Sequence, residues 1–356
     1  MRFYLLPQFV LGTLGIYLLL VLCMANDMSA QVERIVVQSE IVSVPVSVID
    51  RDGRYVPGIS RDKFAIFEGA VRQDVSFFEA TDVPITVMLL VDVSGSMEPF
   101  MPQIGRALDT FIKQLRPDDT IIVGTFDDWA KVDIRVEPTK KKDYKGQKEP
   151  NPKRGAPAWP NWTMTSDAVD EAIRMMKKIK GRRAIVLFGD GDPSGRYATP
   201  ETNLRDAEEQ EAVIYTVRYG PYPPACVRDG HESVAPLSGS EKFGVEGIMP
   251  VPDLAKMGKA CWVRPNDIQS LIKTVDKHMN GLAEKTGGRA YRIENISSLS
   301  ETFDNIIAEL GQTYTIGYEP KVTPKEGEHR TLSVKVDLPN VVVRSRKEVV
   351  FGKSKK

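Results

Sequence analysis

The sequence predicts an α/β protein with a doubly wound, mostly parallel central sheet inserted between N- and C-terminal β segments. Three observations predict this fold class. The middle of the chain alternates strand patterns with helical patterns, as a doubly wound sheet requires. Residues 85–91 form a run that is apolar except for Thr86, which is typical of a parallel strand covered on both faces. Residues 31–82 and 314–356 show the period-two alternation of half-buried strands instead.

The two β segments are expected to pack against each other. In the first, valines at 42, 44, 46 and 48 alternate with other residues, and shorter strand patterns follow near residues 64–67 and 75–78. In the last, strand patterns cover residues 314–318, 332–338, 341–343 and 349–351. A few strands with one apolar face are not stable alone. We therefore predict one β-sandwich module built from both segments, with two separate β pieces as the alternative.

The inserted α/β domain is predicted over residues 83–313. Apolar residues recur at helical spacing over 104–115, 168–179, 268–275 and 299–310, and strand patterns cover 120–126, 131–136, 183–188, 213–217 and 289–293. Two insertions, at about 138–161 and 220–265, do not follow this rhythm. The first is rich in lysine and is expected to be a solvated loop, with attraction of an acidic partner or anionic lipid as the alternative.

The first thirty residues indicate export. Arg2 precedes an apolar stretch over residues 3–25, and small residues follow near Ala25 and Ala30, which is the pattern of a secretory signal peptide. An uncleaved N-terminal membrane anchor is the alternative. The protein is therefore expected in the periplasm, in the cell envelope or outside the cell. In such an oxidising compartment Cys226 and Cys261 are expected to form a disulfide, the alternative being two separate buried thiols.

Composition narrows the range of partners. The chain has 356 residues, and 48 Lys and Arg balance 48 Asp and Glu. A net charge of zero gives no support to general nucleic-acid binding. Contact with a membrane is expected only if the N-terminal segment is retained.

One short motif carries the chemistry. Asp92, Ser94 and Ser96 follow the apolar strand of residues 85–91 at alternate positions. In open α/β sheets ligands bind outside the carboxyl ends of the strands. Carboxylate and hydroxyl oxygens are hard ligands that suit Mg²⁺, or Mn²⁺ or Ca²⁺. The alternative is that a serine only caps the following helix.

This motif resembles the metal-ion-dependent adhesion site of von Willebrand factor type A (VWA) domains. The resemblance implies two further ligands, Thr163 at the start of a helix and Asp190 after the strand that ends near residue 188. Two small residues usually precede the family's threonine, whereas Asn161 and Trp162 stand here, so Thr165 is the alternative ligand. For either threonine a helix N-cap is the competing role, and Asp192 is expected to be a turn residue.

The terminal segments extend the resemblance to nearly the whole chain outside the insertions. Residues 46–53, 64–69, 286–290 and 314–320 look like the corresponding parts of exported bacterial VWFA-related proteins of the acidobacterial type. The resemblance implies a protein partner whose Asp or Glu carboxylate completes the metal's ligand shell.

Enzymatic activity is not expected. His231, His278 and His329 are the chain's three histidines, and none is near the motif loops in sequence. No phosphate-binding or dinucleotide-binding glycine motif is present. The predicted function is non-enzymatic, metal-dependent binding of a protein. The alternatives are a structural or assembly component whose metal only stabilises the fold, and a metal-dependent hydrolase.

Overall fold

The computed structural model describes residues 41–127, 132–145, 163–220 and 268–351, all of which belong to one compact unit, residues 40–356. The elements in chain order are β1 (Val42–Asp50), β2 (Phe64–Glu68), β3 (Val71–Gln73), β4 (Val75–Glu79), β5 (Ile85–Asp92), α1 (Met101–Gln114), β6 (Thr120–Phe126), β7 (Asp133–Lys140), α2 (Thr165–Met176), β8 (Arg182–Gly189), α3 (Pro200–Glu208), β9 (Val213–Tyr219), α4 (Ile268–Thr286), β10 (Ala290–Ile293), α5 (Leu299–Leu310), β11 (Tyr314–Tyr318), β12 (His329–Val336), β13 (Val341–Ser345) and β14 (Glu348–Val350).

The central sheet has six strands in the order β10-β9-β8-β5-β6-β7. Five of them are parallel, and β7 pairs with β6 in the antiparallel sense at one edge. This confirms the predicted mostly parallel α/β sheet. The strand predicted over residues 131–136 extends to Lys140, so the first insertion begins later than residue 138.

Helices cover both faces of this sheet. Val87, Leu89 and Val91 of β5 contribute to the apolar cluster that α1 and α5 complete on one face. Met88 and Leu90 contribute to the cluster completed by α2, α3 and α4 on the other. Alternate residues of one strand therefore meet different helix layers, which is why residues 87–91 are all apolar.

The chain reverses direction across the sheet at β5. From β5 it proceeds to β6 and β7 on one side, and then returns to β8 on the other side of β5. The carboxyl ends of β5 and β8 are consequently a topological switch point, where doubly wound proteins bind their ligands.

Eight further strands form two antiparallel sheets, in the orders β13-β1-β11-β4 and β14-β12-β2-β3. Each sheet combines strands from both ends of the chain, because β1 pairs with β11 and β2 with β12. Val44 and Tyr314 of the first sheet share an apolar core with Ile66 and Leu332 of the second. The predicted β-sandwich module of both terminal segments is confirmed.

Arg182 contacts both of the chain segments that connect the β-sandwich module to the α/β domain. This side chain lies at the start of β8, and Arg182 is 6% exposed. Its guanidinium donates to the carbonyl oxygens of Thr81 (3.2 Å) and Val83 (2.7 Å) before β5. It also donates to those of Leu310 (2.7 Å), the last residue of α5, and of Thr313 (2.8 Å). One buried cation thus holds both connecting segments.

Two more buried charges add to this junction. Arg346, between β13 and β14, donates to the carbonyl oxygen of Gln210 in the α/β domain at 3.2 Å. Glu309 of α5 is 0% exposed and accepts hydrogen bonds from Tyr55 Oη (2.7 Å) and from Arg344 of the β module. The β module and the α/β domain are therefore connected by polar contacts as well as by the chain itself.

Two elements have no counterpart in the sequence predictions, the short strand β3 and the helix α3. The start of α3 nevertheless carries a sequence signal. Thr199 and Thr202 form a reciprocal capping box, and Pro200 occupies the first turn.

Several predictions concern residues outside the described ranges. These are the signal segment 1–30, residues 146–161 of the first insertion, the second insertion, and the Cys226–Cys261 disulfide. Among the described residues, no helix is long and apolar enough to cross a membrane.

Candidate metal centre

The three candidate loops start from one edge of the central sheet. Asp92 ends β5 and Gly189 ends β8, and these strands are parallel neighbours in the sheet. The loop before α2 reaches the same edge, because the Met164 N–H donates to the carbonyl oxygen of Asp127, directly after β6 (3.1 Å). The three loops that carry the predicted metal ligands therefore lie together at this switch point.

Four predicted site residues form one hydrogen-bonded chain. Ser94 Oγ lies 3.1 Å from Ser96 Oγ, and Ser96 Oγ donates to Asp190 Oδ2 at 2.7 Å. Asp92 Oδ1 accepts the Ser94 backbone N–H at 2.8 Å. The Ser96–Asp190 hydrogen bond joins the β5 and β8 loops through two oxygen atoms.

Asp92 is the least compensated group of the site. It is fully buried, and its Oδ2 has no hydrogen-bond partner among the described residues. Burial, and after it the nearby charge of Asp190, raises the pKa of the Asp92 carboxyl well above its ordinary range. A buried carboxylate in this setting is stabilised by an added positive charge.

Gly189 provides the space beside this carboxylate. A Cβ at this position would lie 2.7 Å from Asp92 Cβ and 2.8 Å from Asp92 Oδ2. Any larger residue would push the Asp92 side chain from its place. The two neighbouring strands can therefore present Asp92 and Asp190 side by side only with glycine at the end of β8.

The helix-capping alternative is wrong for the serines and the threonines. The residues at the N-cap positions are Met97 before a short 3₁₀ helix, Phe100 before α1 and Met164 before α2. None of the three helix starts has a side-chain capping bond. The hydroxyl groups at this edge therefore do not cap these three helices.

Both candidate threonines lie in the loop and first turn of α2. Thr163 is 3% exposed and Thr165 is 2% exposed. The Oγ1 atom of Thr165 is buried with no hydrogen-bond partner among the described residues. The resemblance favours Thr163 as the ligand, whereas the buried hydroxyl without a partner favours Thr165.

Residues 87–192 match the family model of the von Willebrand factor type A domain. This segment is a VWA domain. The matched range begins in β5 and ends just after Asp190, so it contains every predicted metal ligand. VWA domains commonly mediate protein–protein interactions and often bind a divalent metal. No curated protein matches the sequence significantly.

Solved structures with similar backbones include other VWA proteins. An aerotolerance-related membrane protein from Bacteroides fragilis is 15% identical, with 63% of this chain and 98% of that chain covered and a TM-score of 0.37. The ArnB paralog VWA2 from Sulfolobus acidocaldarius is 12% identical, with 88% and 76% covered and a TM-score of 0.40. Proximal thread matrix protein 1 from the mussel byssus, with a zinc-occupied MIDAS motif, is 11% identical, with 69% and 49% covered and a TM-score of 0.39.

The side chains of this VWA domain fit a hard divalent cation. The site offers an uncompensated buried carboxylate oxygen, a second carboxylate and two hydroxyls within hydrogen-bonding distance of one another. The described residues contain no group of three or more His, Cys, Asp or Glu side chains suited to a metal. A cation at this edge would need hydroxyl oxygens in addition to the two carboxylates. Such oxygen ligands favour Mg²⁺, Mn²⁺ or Ca²⁺ over thiol-seeking metals.

Asp192 has the contacts of a turn residue. Its Oδ1 accepts from the backbone N–H of Ser194 (2.9 Å) and from Ser194 Oγ (2.6 Å). Burial, with a smaller contribution from Asp190, raises the pKa of Asp192 to about 6. This carboxylate shapes the loop that follows Asp190.

Asp167 supports the site in a way that the sequence did not reveal. It is 5% exposed, and its carboxylate accepts the backbone N–H groups of Arg196 (2.7 Å), Tyr197 (2.8 Å) and Ala198 (2.7 Å). The first turn of α2 thereby fixes the loop between β8 and α3. Its position four residues after Thr163 was the only available signal.

His278 is connected to the same loop through hydrogen bonds, although it is distant in sequence. It is 0% exposed on α4, and its Nε2 lies 3.1 Å from Asn203 Oδ1. Asn203 Nδ2 donates to the Ser166 carbonyl oxygen (3.0 Å), and Ser166 Oγ donates to that of Pro193 (2.6 Å). Burial lowers the pKa of His278 to about 4, so the ring is neutral at pH 7.

Proposed function

We propose that this chain is an exported, non-enzymatic binding protein related to bacterial VWFA-related proteins, and that its VWA domain grips a protein partner through a divalent cation. Asp92, Ser94, Ser96, Thr163 and Asp190 would hold the cation, with Mg²⁺ the preferred ion and Mn²⁺ or Ca²⁺ as substitutes. When bound, the cation supplies an electrophilic position that accepts a carboxylate oxygen of the partner. Thr165 is the alternative to Thr163.

The observation that carries this proposal is the fully buried Oδ2 atom of Asp92. It has no hydrogen-bond partner among the described residues, and a second carboxylate lies close by. Burying an uncompensated carboxylate is costly unless a cation or a proton joins it. Serine and threonine hydroxyls add no negative charge, so a divalent cation held here keeps net positive charge for an outside ligand.

The first experiment is thermal melting of the full chain with Mg²⁺ or Mn²⁺ and with a chelator. A cation that binds only the native state at 100 times its Kd stabilises it by about 2.7 kcal/mol. We expect Asp92→Ala, Asp92→Asn and Thr163→Ala to remove this shift. Asp118→Asn is the matched control, because Asp118 is an exposed carboxylate just before the start of β6, at the opposite edge of the sheet.

The second experiment is capture of partners from an envelope extract with Mg²⁺ and with chelator. Capture that depends on both Mg²⁺ and Asp92 supports metal-bridged binding. Capture that survives chelator and Asp92→Ala contradicts it and favours an assembly role in which the metal only stabilises the fold. Asp92-dependent turnover of a phosphate ester would contradict the non-enzymatic assignment.

A further inference from the structure

The loop between β8 and α3 carries a pair of side chains that the metal centre does not use. Arg196 and Tyr197 follow Asp190 and Asp192 on this loop. Tyr197 is 77% exposed, which is more than any other exposed large hydrophobic residue among those described. The Tyr197 ring therefore gives this loop an apolar surface that faces solvent.

The backbone beneath this pair is fixed. The buried Asp167 carboxylate accepts three consecutive N–H groups, those of Arg196, Tyr197 and Ala198. A side chain at Gly195 would clash with the Ala198 carbonyl oxygen and would bring its Cβ to 2.8 Å from Ser166 Cβ. The hydrogen bonds to Asp167 and the close approach at Gly195 hold the loop against the first turn of α2. The shape of the loop is therefore set before any partner binds.

The two side chains are also ordered relative to each other. The Arg196 guanidinium carbon lies 5.4 Å from the centroid of the Tyr197 ring. A guanidinium stacked on an aromatic ring keeps its hydrogen-bond donors available at the edge of the plane. The pair therefore offers a preorganised cation beside an apolar surface, which reduces the entropy lost on binding.

The pair is continuous with the metal centre. Asp190 contacts Ser96 and Asp192 contacts Ser194. Arg196 and Tyr197 follow on the same loop, four and five residues after Asp192. The segment that anchors the loop, the start of α2, also follows directly on Thr163. A protein segment whose carboxylate reached the cation would pass beside this loop.

Resting on the proposed function, we propose that Arg196 and Tyr197 are the partner-recognition pair of the metal centre. The partner is a protein segment with two neighbouring acidic side chains. One carboxylate reaches the cation, the second pairs with the Arg196 guanidinium, and the apolar stem between them packs on the Tyr197 ring. Tyr and Arg are the residue types that most often dominate binding energy at protein interfaces.

The test is selection from a displayed random peptide library on the immobilised full chain, with Mg²⁺ present and elution by chelator. The wild-type protein should enrich peptides with two nearby acidic residues. Arg196→Glu should enrich peptides that keep one acidic residue but carry Lys or Arg in place of the second. Tyr197→Ala should weaken the wild-type peptides by about tenfold or more.

Arg174→Glu is the matched control, because Arg174 is an exposed arginine in the last turn of α2, at the other end of that helix. It should select the same peptides as the wild type. If Arg196→Glu also selects those peptides, the inference is overturned. Melting shifts with Mg²⁺ separate this outcome from failure of the proposed function. A wild-type chain without any shift overturns the proposed function. A chain that shifts and selects peptides with only one acidic residue overturns only the recognition pair.

Discussion

Arg182 and Asp92 are buried charged side chains at opposite ends of neighbouring strands. Arg182 begins β8 and donates to four carbonyl oxygens of the connecting segments. Asp92 ends β5, has one oxygen without a hydrogen-bond partner among the described residues, and lies near a second carboxylate. The amino edge of the sheet thus compensates its buried charge with hydrogen bonds within the chain, whereas the carboxyl edge leaves one buried carboxylate oxygen without a partner among the described residues.

This difference separates two uses of buried charge. A satisfied charge ties segments together, and removing it leaves its partners unpaired. An unsatisfied charge weakens the fold and is retained where a ligand supplies the missing contact. The four predictions that follow test this distinction, from the largest expected effect to the smallest.

Arg182→Met should cause the largest loss of stability. It removes the donor of the carbonyl oxygens of Val83, Leu310 and Thr313 in a buried site. The carbonyl oxygen of Thr81 keeps its hydrogen bond from Arg116. We expect the free energy of unfolding to fall by about 3–5 kcal/mol, measured by urea denaturation. Arg182→Lys, which keeps the charge but reaches fewer carbonyls, should lose less.

The control for this prediction is Arg174→Met, at an exposed ion pair with Asp170. Exposed pairs contribute about 1 kcal/mol or less. If Arg182→Met lowers the free energy of unfolding no more than Arg174→Met does, this cation does not hold the junction. Arg182 would then not be a stabilising buried charge that differs from Asp92.

His278 is an intermediate case, an ionisable group that is buried in its neutral form. Its native pKa is about 4, against about 6.5 in the unfolded chain, because burial disfavours the charged ring despite the opposing carboxylate of Glu201. The unfolded state therefore binds the proton more readily. Stability should fall as the pH drops from about 6.5 to about 4, by up to about 3 kcal/mol.

The measurement is the free energy of unfolding between pH 7 and pH 4 for the wild type and for His278→Gln. The difference between the two proteins should shrink towards low pH, because only the wild type takes up this proton on unfolding. His329→Gln, at an exposed position on β12, is the control. Parallel curves for wild type and His278→Gln would contradict the neutral buried state.

Asp92→Asn should stabilise the metal-free protein, in contrast to the loss at Arg182. The amide keeps the shape of the side chain and removes a buried charge that lies near Asp190. We expect a gain of about 1–2 kcal/mol in chelator and no further gain with Mg²⁺. Denaturation curves with and without Mg²⁺ measure both effects. A variant that is less stable than wild type in chelator would mean that the Asp92 charge is already satisfied.

Much of this fold could be predicted from patterns in the sequence. The apolar run predicts β5 correctly because both faces of that strand are covered by helices. The serine motif can be placed at the end of the strand because it follows the run directly. The helix α3 could not be recognised by periodicity, since it is short and mostly polar. Its capping residues, Thr199 and Thr202, were the stronger signal.

The two buried ionisable groups behind these predictions differ in how well the sequence indicates them. His278 stands three residues after Val275 and four before Leu282, so it shares the apolar stripe of α4 and helical spacing indicates its burial. Arg182 and Arg183 are adjacent arginines, and only the tertiary structure shows that the first turns inward to four carbonyl oxygens. Its partners lie up to 131 residues away in sequence.

The smallest expected effect on stability distinguishes the two threonines of the metal centre. Valine has the shape of threonine without the hydroxyl, so Thr165→Val removes a buried group that has no hydrogen-bond partner among the described residues. In chelator this change should be neutral or stabilising, by up to about 1 kcal/mol, because an unsatisfied hydroxyl is costly to bury.

With Mg²⁺, Thr163→Val and Thr165→Val should differ in their effect on the melting temperature. If Thr163 is the ligand, Thr163→Val abolishes the metal-induced shift in melting temperature and Thr165→Val retains it. The reverse result would assign the ligand role to Thr165, and its lone hydroxyl would then resemble Asp92 Oδ2, a buried oxygen kept free for the cation. Since both variants conserve side-chain volume, a change in the shift reports the loss of a ligand oxygen and not a change in packing.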